Sequence, residues 1–402
     1  MSDAIIVLNA GSSSLKFSVY AVLDQELSLE ARGQIEGLET SPHFKAKDRE
    51  GKLLADVALK DSPKDFGHQQ GFAYLATWLR EQYGGKLVPL AVGHRMAHGG
   101  SDFTAPTLID DQVLMKLEEL IPLVPLHQPH NLAGIKAVTS LRPDLPQVAC
   151  FDTAFHRGRA PVTERFGLPD DLFRRGVRRW GFHGLSYEWI AGQLRRVAPD
   201  IATGRVIVAH LGSGSSMCAM KDGRSVDTTM SFSALDGLPM GTRCGSLDPG
   251  VILFLLQQST REEIEAMLYK KSGLLGISGI SNDVRELLAS DNPQAAEAIE
   301  FFVYRAVREI GALTAVLGGL DALVFTAGIG ENSPVIRQRI CQRLGWLGIE
   351  IEPEVNERGR GRISPPGRSP SVWVIPTDEE SVIAAGTLSA VKSATASSRS
   401  LR

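Results

Sequence analysis

The sequence predicts an α/β protein of two domains built on a duplicated unit, and three observations carry that expectation. Its 402 residues exceed what one ordinary core encloses. Strand-like and helix-like patterns alternate along both halves. A strand–turn–strand pattern also occurs twice: Ile5, Val7, Asn9, Gly11 and Ser12 are matched by Val206, Val208, His210, Gly212 and Ser213 at a constant offset of 201 residues.

Bulk chemistry narrows the class. A hydrophobic content of 43% with 22% charged residues describes a soluble chain with a sizeable core. The net charge of −3 argues against nucleic acid or an anionic membrane surface as the main partner. The longest apolar run, around Val251–Leu256, is far too short to cross a bilayer. The N-terminus shows no basic segment followed by an apolar one, so no secretory signal is read. Cys150, Cys218, Cys244 and Cys341 lie far apart without a CxxC pair, which fits reduced thiols and a cytoplasmic setting.

The elements follow in order. "VLNAGSSSLKFSVY" reads as strand, polar tip, strand, and residues 21–66 as further strands of that sheet. A helix is predicted at about 71–83 and a strand at 87–93 running into "GHRMAHGG". Helices near 111–120 and 131–141 flank "IPLVPLHQPHN", whose prolines forbid a regular helix there. "QVACFDTAFH" is a strand with a polar end, and "RRWGFHGLSYEWIAGQLRRV" a loop entering an amphipathic helix. The second hairpin, "VIVAHLGSGSSMCAMKDG", is followed by a long helix at 295–317 that stops at Gly318 and Gly319. "FTAGIGENSPVIR" is a strand end, a glycine-rich turn and a helix with Ser333 as N-cap and Pro334 at its first position. In "IPTDEES", Thr377 and Glu380 have the spacing of a capping box, which leaves Glu379 free to point elsewhere. The last ten residues, small and polar, are expected to fray.

Chemistry concentrates in the loops. Gly/Ser tips present backbone N–H groups and hydroxyls to an anion, and Lys16 adds a point charge to the first tip. A plain serine-rich turn fits each tip as well, but their repetition favours two sides of a polyphosphate clamp. There is no Walker A pattern, and a strand follows the first tip. Arg95 and Arg243 sit in glycine-rich loops, where an anion contact and a solvated structural arginine both fit. His94/His98 and His127/His130 have zinc-like spacing, yet glycines and prolines flank them and no Cys joins them, so zinc is not expected.

Taken together, the motifs resemble the acetate kinase family. "NAGSSSLKF", "GHRMAHGG", "PLHQPHN", "FDTAFH", "GFHGLSY", "HLGSGSS", "MGTRCGSLDPG", "GISNDVREL", "FTAGIGENS" and "IPTDEES" occur in the family's order over nearly the whole chain. The resemblance implies an α/β fold of two duplicated actin-like (ribonuclease-H-like) domains with a nucleotide cleft between them. It places an N-terminal domain at 1–151, completed by a C-terminal helix at 378–402, and a second domain at 152–377 carrying most of the nucleotide site. A cytoplasmic homodimer acting on small molecules is expected, with no nucleic-acid or membrane partner.

The same resemblance implies transfer of the ATP γ-phosphoryl group to acetate, giving acetyl phosphate and ADP. The alternatives are a propionate or other short-chain acyl kinase and, further off, another ATPase of the actin superfamily. Arg95, Asp152, His183 and Arg243 resemble the catalytic set, with His127, Leu126, Phe182, Ala97 and Ala234 beside Arg95 on the acyl substrate. Lys16, Ser12, Ser14, His210, Leu211, Gly212, Ser213 and Gly214 would bind the phosphates of ATP or ADP. Asp283, Val284, Arg285, Gly328, Ile329, Gly330, Glu331 and Asn332 would line the nucleoside. Asn9 and Glu379 resemble the residues associated with Mg2+, for which Mn2+ could substitute. Two departures stand out. Ser213 occupies the usual Asn place in the second tip, and Ala97 and Ala234 replace larger Val and Pro residues around the acyl methyl.

Overall fold

The computed structural model describes residues 1–11, 13–24, 26–59, 66–125 and 127–400. The chain divides into two compact units, Met1–Ala154 with Asp378–Arg402 and Phe155–Thr377. In the first, the strands are β1 (Ser2–Ala10), β2 (Ser14–Leu23), β3 (Glu26–Glu36), β4 (His43–Asp48), β5 (Leu53–Ala58), β6 (Leu87–Met96), β7 (Thr107–Leu108) and β8 (Gln147–Phe151). They form one sheet in the order β5-β4-β3-β2-β1-β6-β8-β7. In the second, β9 (Arg205–Leu211), β10 (Ser215–Lys221), β11 (Arg224–Thr228), β12 (Ala322–Thr326), β13 (Gly361–Arg362) and β14 (Ser371–Val374) order as β11-β10-β9-β12-β14-β13.

The duplication is visible in these orders. β3-β2-β1-β6-β8 and β11-β10-β9-β12-β14 have the same sequence of neighbours, antiparallel through the first three strands and parallel through the last two pairs. Parallel pairing requires crossovers, which here contain helices.

Strand parity decides which side chains meet which helix. In β9, Ile207, Ala209 and Leu211 enter the core shared with the long helix Pro293–Leu317, while Val206 and Val208 pack with Tyr187, Ile190 and Leu194 of the helix Gly184–Val197. His210 therefore lies on the second face, toward that helix. In the first unit, Leu8 and Ala10 of β1 share a core with Phe72 and Leu75 of the helix His68–Tyr83. The opposite face takes the C-terminal helix Glu379–Ser400: at Gly93 of β6 a Cβ would come within 2.2 Å of Thr387 Oγ1 and 2.7 Å of Ile383 Cγ2. Only glycine lets this helix seat so closely on the strand.

Several boundaries differ from expectation for local reasons. The helix Gln128–Leu141 begins inside the proline-rich segment, because Pro129 falls in its first turn, where no N–H is needed. Ile121–Leu123 forms a short 3₁₀ turn. The glycine-rich stretch after β12 is the short helix Ala327–Asn332 rather than an open turn. The C-terminal helix runs to Ser400, and the last two residues of the stretch expected to fray lie outside the described residues. No helix among the described residues is long and apolar enough to cross a membrane.

Candidate active site

In the first unit, Val7 and Gly93 share a rung of the parallel β1/β6 pair. Two residues further along, Asn9 and Arg95 fall on the same sheet face, the one toward the C-terminal helix. Arg95 Nη2 donates to Asp152 Oδ2 at 2.6 Å and Nε to Oδ1 at 3.4 Å. Glu379, at the start of the C-terminal helix, brings Oε2 to 3.8 Å from Arg95 Nε. Burial works against the Arg95 charge, but Asp152 and then Glu379 outweigh it and raise its pKa. Asp152 sits just past β8, its N–H donating to the Met96 carbonyl at 2.9 Å.

The first hairpin tip closes through the Gly11 N–H to the Ser14 carbonyl at 2.8 Å, with Lys16 opposite Asn9 on β2 and exposed. Ser12 and Leu126 lie outside the described residues. Asn131 escaped the sequence reading although it stands in the quoted "PLHQPHN". It is buried, accepts from Ala97 N at 3.0 Å and donates to the Ala10 carbonyl at 3.0 Å, so it ties the ends of β6 and β1 together. His127 is exposed just before the helix Gln128–Leu141. His94 and His98 are buried in structural bonds: His94 Nε2 pairs with Gln147 Oε1 at 2.8 Å, and His98 Nδ1 accepts from Gly100 N at 2.8 Å.

The start of the C-terminal helix corrects the capping box. Asp378, not Thr377, caps it, accepting from Ser381 N at 3.0 Å. Thr377 Oγ1 instead donates to Ser186 Oγ at 2.8 Å. An aspartate one residue later offers the stronger acceptor to the helix N–H groups, so the register moves on by one. Glu380 is thus freed from capping; burial, together with Glu379 and Asp378, pushes its carboxyl pKa up.

In the second unit, Arg243 and His183 reach the second tip. A Cβ on Gly214 would lie 3.0 Å from Arg243 Nη2 and 3.5 Å from His183 Nε2, so both side chains converge on this glycine. Arg243 Nη1 donates to the Ala234 carbonyl at 2.6 Å, and Gly241 N to the Ser213 carbonyl at 3.1 Å, which joins the arginine loop to the tip. His183 stacks on His210 with ring centroids 4.1 Å apart. Its Nδ1 pairs with Ser216 Oγ at 2.8 Å, and His210 Nδ1 with Ser186 Oγ at 2.8 Å. Ser216 is the rung partner of His210 and shares its face, a juxtaposition that needs the pairing register to be known.

The predicted nucleoside-lining residues divide. Gly212 lies close to Ala327, whose φ of +64 is uncommon for a residue with a Cβ. Glu331 Oε1 accepts from Ala327 N at 2.7 Å, Thr377 N at 3.1 Å and Thr326 Oγ1 at 3.4 Å. That oxygen is therefore committed to holding the strand ends. Asn332 is exposed and donates to the Gly328 carbonyl at 2.9 Å, within the same short helix as Gly330. Val284 and Leu211 are core side chains and Ile329 packs against that core, so these three can offer a ligand only backbone. Asp283 and Arg285 pair with each other, Nη2 to Oδ2 at 2.5 Å, and Arg285 is solvent-exposed. Phe182 is buried.

The fold and these two residue sets define an α/β protein of duplicated halves whose polar loops collect arginine, histidine and glycine. The chain belongs to the acetokinase family, whose model matches residues 4–385. It is 52% identical over 391 residues to an acetate kinase of Rhodopseudomonas palustris, covering 96% of this chain and 97% of that one. Two solved structures superpose closely. A propionate kinase from Francisella tularensis gives a TM-score of 0.89 at 36% identity, covering 97% of this chain and all of that one (100%). The acetate kinase of Porphyromonas gingivalis gives 0.86 at 36% identity with the same coverage.

Proposed function

We propose that the chain catalyses the reversible reaction of ATP and acetate to ADP and acetyl phosphate, by in-line attack of a carboxylate oxygen on the γ-phosphorus. The observation that carries this reading is the convergence of Arg243 and His183 on Gly214 at the second tip. Phosphoryl transfer between two anions is limited by positioning and charge, and cationic groups around a glycine tip supply both. Arg95, held by Asp152, neutralises the acetate carboxylate. Arg243 and His183 stabilise the phosphoryl oxygens, and His210–Gly214 with Gly328–Asn332 bind the nucleotide. Asp152 positions groups, since acetate is already ionised at neutral pH.

A divalent cation, Mg2+ with Mn2+ as substitute, supplies charge neutralisation on the phosphates when bound. Asn9 and Glu379 fit it chemically: both offer oxygen, which a hard cation prefers. Among the described residues there is no group of three or more His, Cys, Asp or Glu that could hold a metal. Phosphate oxygens and water would therefore complete the shell.

A second copy of the chain is its macromolecular partner in this reading, and the setting is cytoplasmic. The helix Pro249–Leu255 buries none of its residues, and Val251, Leu253, Phe254 and Leu256 are exposed, an apolar patch of the kind that subunit contacts cover. Phe254→Asp should shift the molar mass in light scattering from dimer to monomer. An unchanged mass would remove this surface from consideration.

The activity is tested by trapping the acyl phosphate with hydroxylamine in the presence of ATP, magnesium and acetate. Acyl hydroxamate forming in step with ADP supports the reading, whereas ADP release without it points to a plain ATPase. A propionate arm tests the short-chain alternative, which the small side chains at Ala97 and Ala234 favour.

A further inference from the structure

We propose that His156, assisted by Arg159, is a positioning residue that aims His183 at the second tip by holding the backbone just before it. This rests on the phosphoryl-side role of His183 given above. His156 is completely buried, with Nε2 2.9 Å from the Phe182 carbonyl oxygen and Nδ1 2.8 Å from Ser225 Oγ. A carbonyl only accepts, so Nε2 carries the hydrogen, and Nδ1 accepts from the Ser225 hydroxyl. Burial, and then the neighbouring Arg159 charge, lower the His156 pKa to about 3. The imidazole is neutral at working pH and its tautomer is fixed.

Further bonds hold the preceding residues, Trp180 and Gly181. Trp180 N and Gly181 N donate to the Ser231 carbonyl at 2.9 and 3.2 Å. Arg159 Nη2 donates to the Trp180 carbonyl at 3.0 Å, and its Nε to the His156 carbonyl at 2.9 Å. Gly181 has φ +87, and a Cβ there would sit 2.6 Å from the His156 ring, so the imidazole packs directly on the chain. The next residue but one, His183, is held at φ +56 and ψ 25, a left-handed conformation that side chains with a Cβ avoid. Such a conformation persists only where its neighbours over-determine it. From it, Nδ1 meets Ser216 and Nε2 faces Gly214.

The experiment compares kcat and KM of His156→Phe, His156→Gln and His183→Ala, with folding followed by circular dichroism. His156→Phe keeps a ring but loses both bonds, and the displaced imidazole of His183 should lower kcat about 10–100-fold, as small misplacements of catalytic groups do. KM for ATP and acetate should stay within about twofold, because the lost interaction is made in the transition state. His156→Gln, whose amide can donate near the Nε2 position, should recover much of the loss. Histidine-selective 15N spectra should show the His183 ring signals displaced in His156→Phe and restored in His156→Gln. A folded His156→Phe with kcat within about twofold of wild type, beside a crippled His183→Ala, overturns the inference. An active His183→Ala would instead overturn the role assigned to His183. Should His156→Phe not fold, Ser225→Ala replaces it, since it releases the tautomer without emptying the site; unchanged kcat and unchanged His183 signals there also overturn the inference.

Discussion

Arg95 holds Asp152 in a two-pronged ion pair, Nη2 to Oδ2 at 2.6 Å and Nε to Oδ1 at 3.4 Å, with the Asp152 side chain only 4% exposed. Both carboxylate oxygens face the guanidinium, so the aspartate fixes the plane of the arginine. Arg95→Ala should lower kcat/KM for acetate by about 10³-fold or more, the scale of arginines that serve phosphoryl transfer. Arg95→Lys should recover little, because an ammonium cannot reproduce the fork. Asp152→Asn should lower kcat while leaving both limbs of the pH–rate profile in place. Loss of one limb would instead assign Asp152 a proton-transfer role.

The acids at the start of the C-terminal helix should separate by function. Glu379→Ala should raise the magnesium concentration needed for half-maximal rate. Asp378→Ala should lower stability by about 1 kcal/mol, the usual cost of losing an N-cap. Glu380→Gln should leave stability unchanged or improve it at pH 7, because burial already disfavours the charged carboxyl. Magnesium titrations and thermal melts check the three together, and a Glu380 variant with the metal phenotype would contradict the assignment.

Substrate choice should respond to Ala97. Its N–H donates to Asn131, and in the proposed reading its small side chain would leave room near the acyl group. An apolar slot discriminates one methylene by about 10–200-fold, and a roomy one belongs at the low end. The acetate-over-propionate ratio in kcat/KM is expected within about tenfold for the wild type and larger for Ala97→Val. Equal slowing of both substrates in the variant would refute the pocket assignment.

Buried neutral histidine should make the fold acid-sensitive. Burial lowers the His94 pKa from 6.5 to about 4, despite the bond to Gln147. As pH falls below the unfolded value, the unfolded chain takes up a proton that the native chain refuses until about pH 4. Stability therefore declines across that window, by up to about 3 kcal/mol. His156 acts with the same sign. Melting temperatures between pH 7 and 4 should fall, and His94→Gln should flatten the dependence; an equally steep curve in the variant would rule His94 out as a contributor.

Much of this molecule was legible in its residue pattern. Apolar alternation and glycine tips are local signals, so β1, β2, β9 and β10, their hairpins and the 201-residue offset could be read directly. The helix Pro293–Leu317, ending at Gly318 in the left-handed conformation, was equally clear. Local competition defeated the reading elsewhere. Thr377 and Asp378 both fit an N-cap, and only the packed helix shows that Asp378 takes the role. "AGIGEN" has the composition of a turn, yet Glu331 folds back on Ala327 N and closes a helix.

The sequence by itself determined the composition of the site: which loops carry arginine, histidine and glycine, and in what order. Tertiary structure alone decided which of them meet. Rung partners such as His210 and Ser216 face the same helix because of pairing register, which depends on burial on both faces of the sheet. The Arg95–Asp152 pair spans 57 residues and the His183–Ser216 pair 33, distances along the chain over which no local signal reports a contact. Close packing then chose the supporting groups. Gly93 admits the helix that carries Glu379 because a Cβ there would meet Thr387 and Ile383, and the buried Asn131 joins two strand ends through its two backbone bonds.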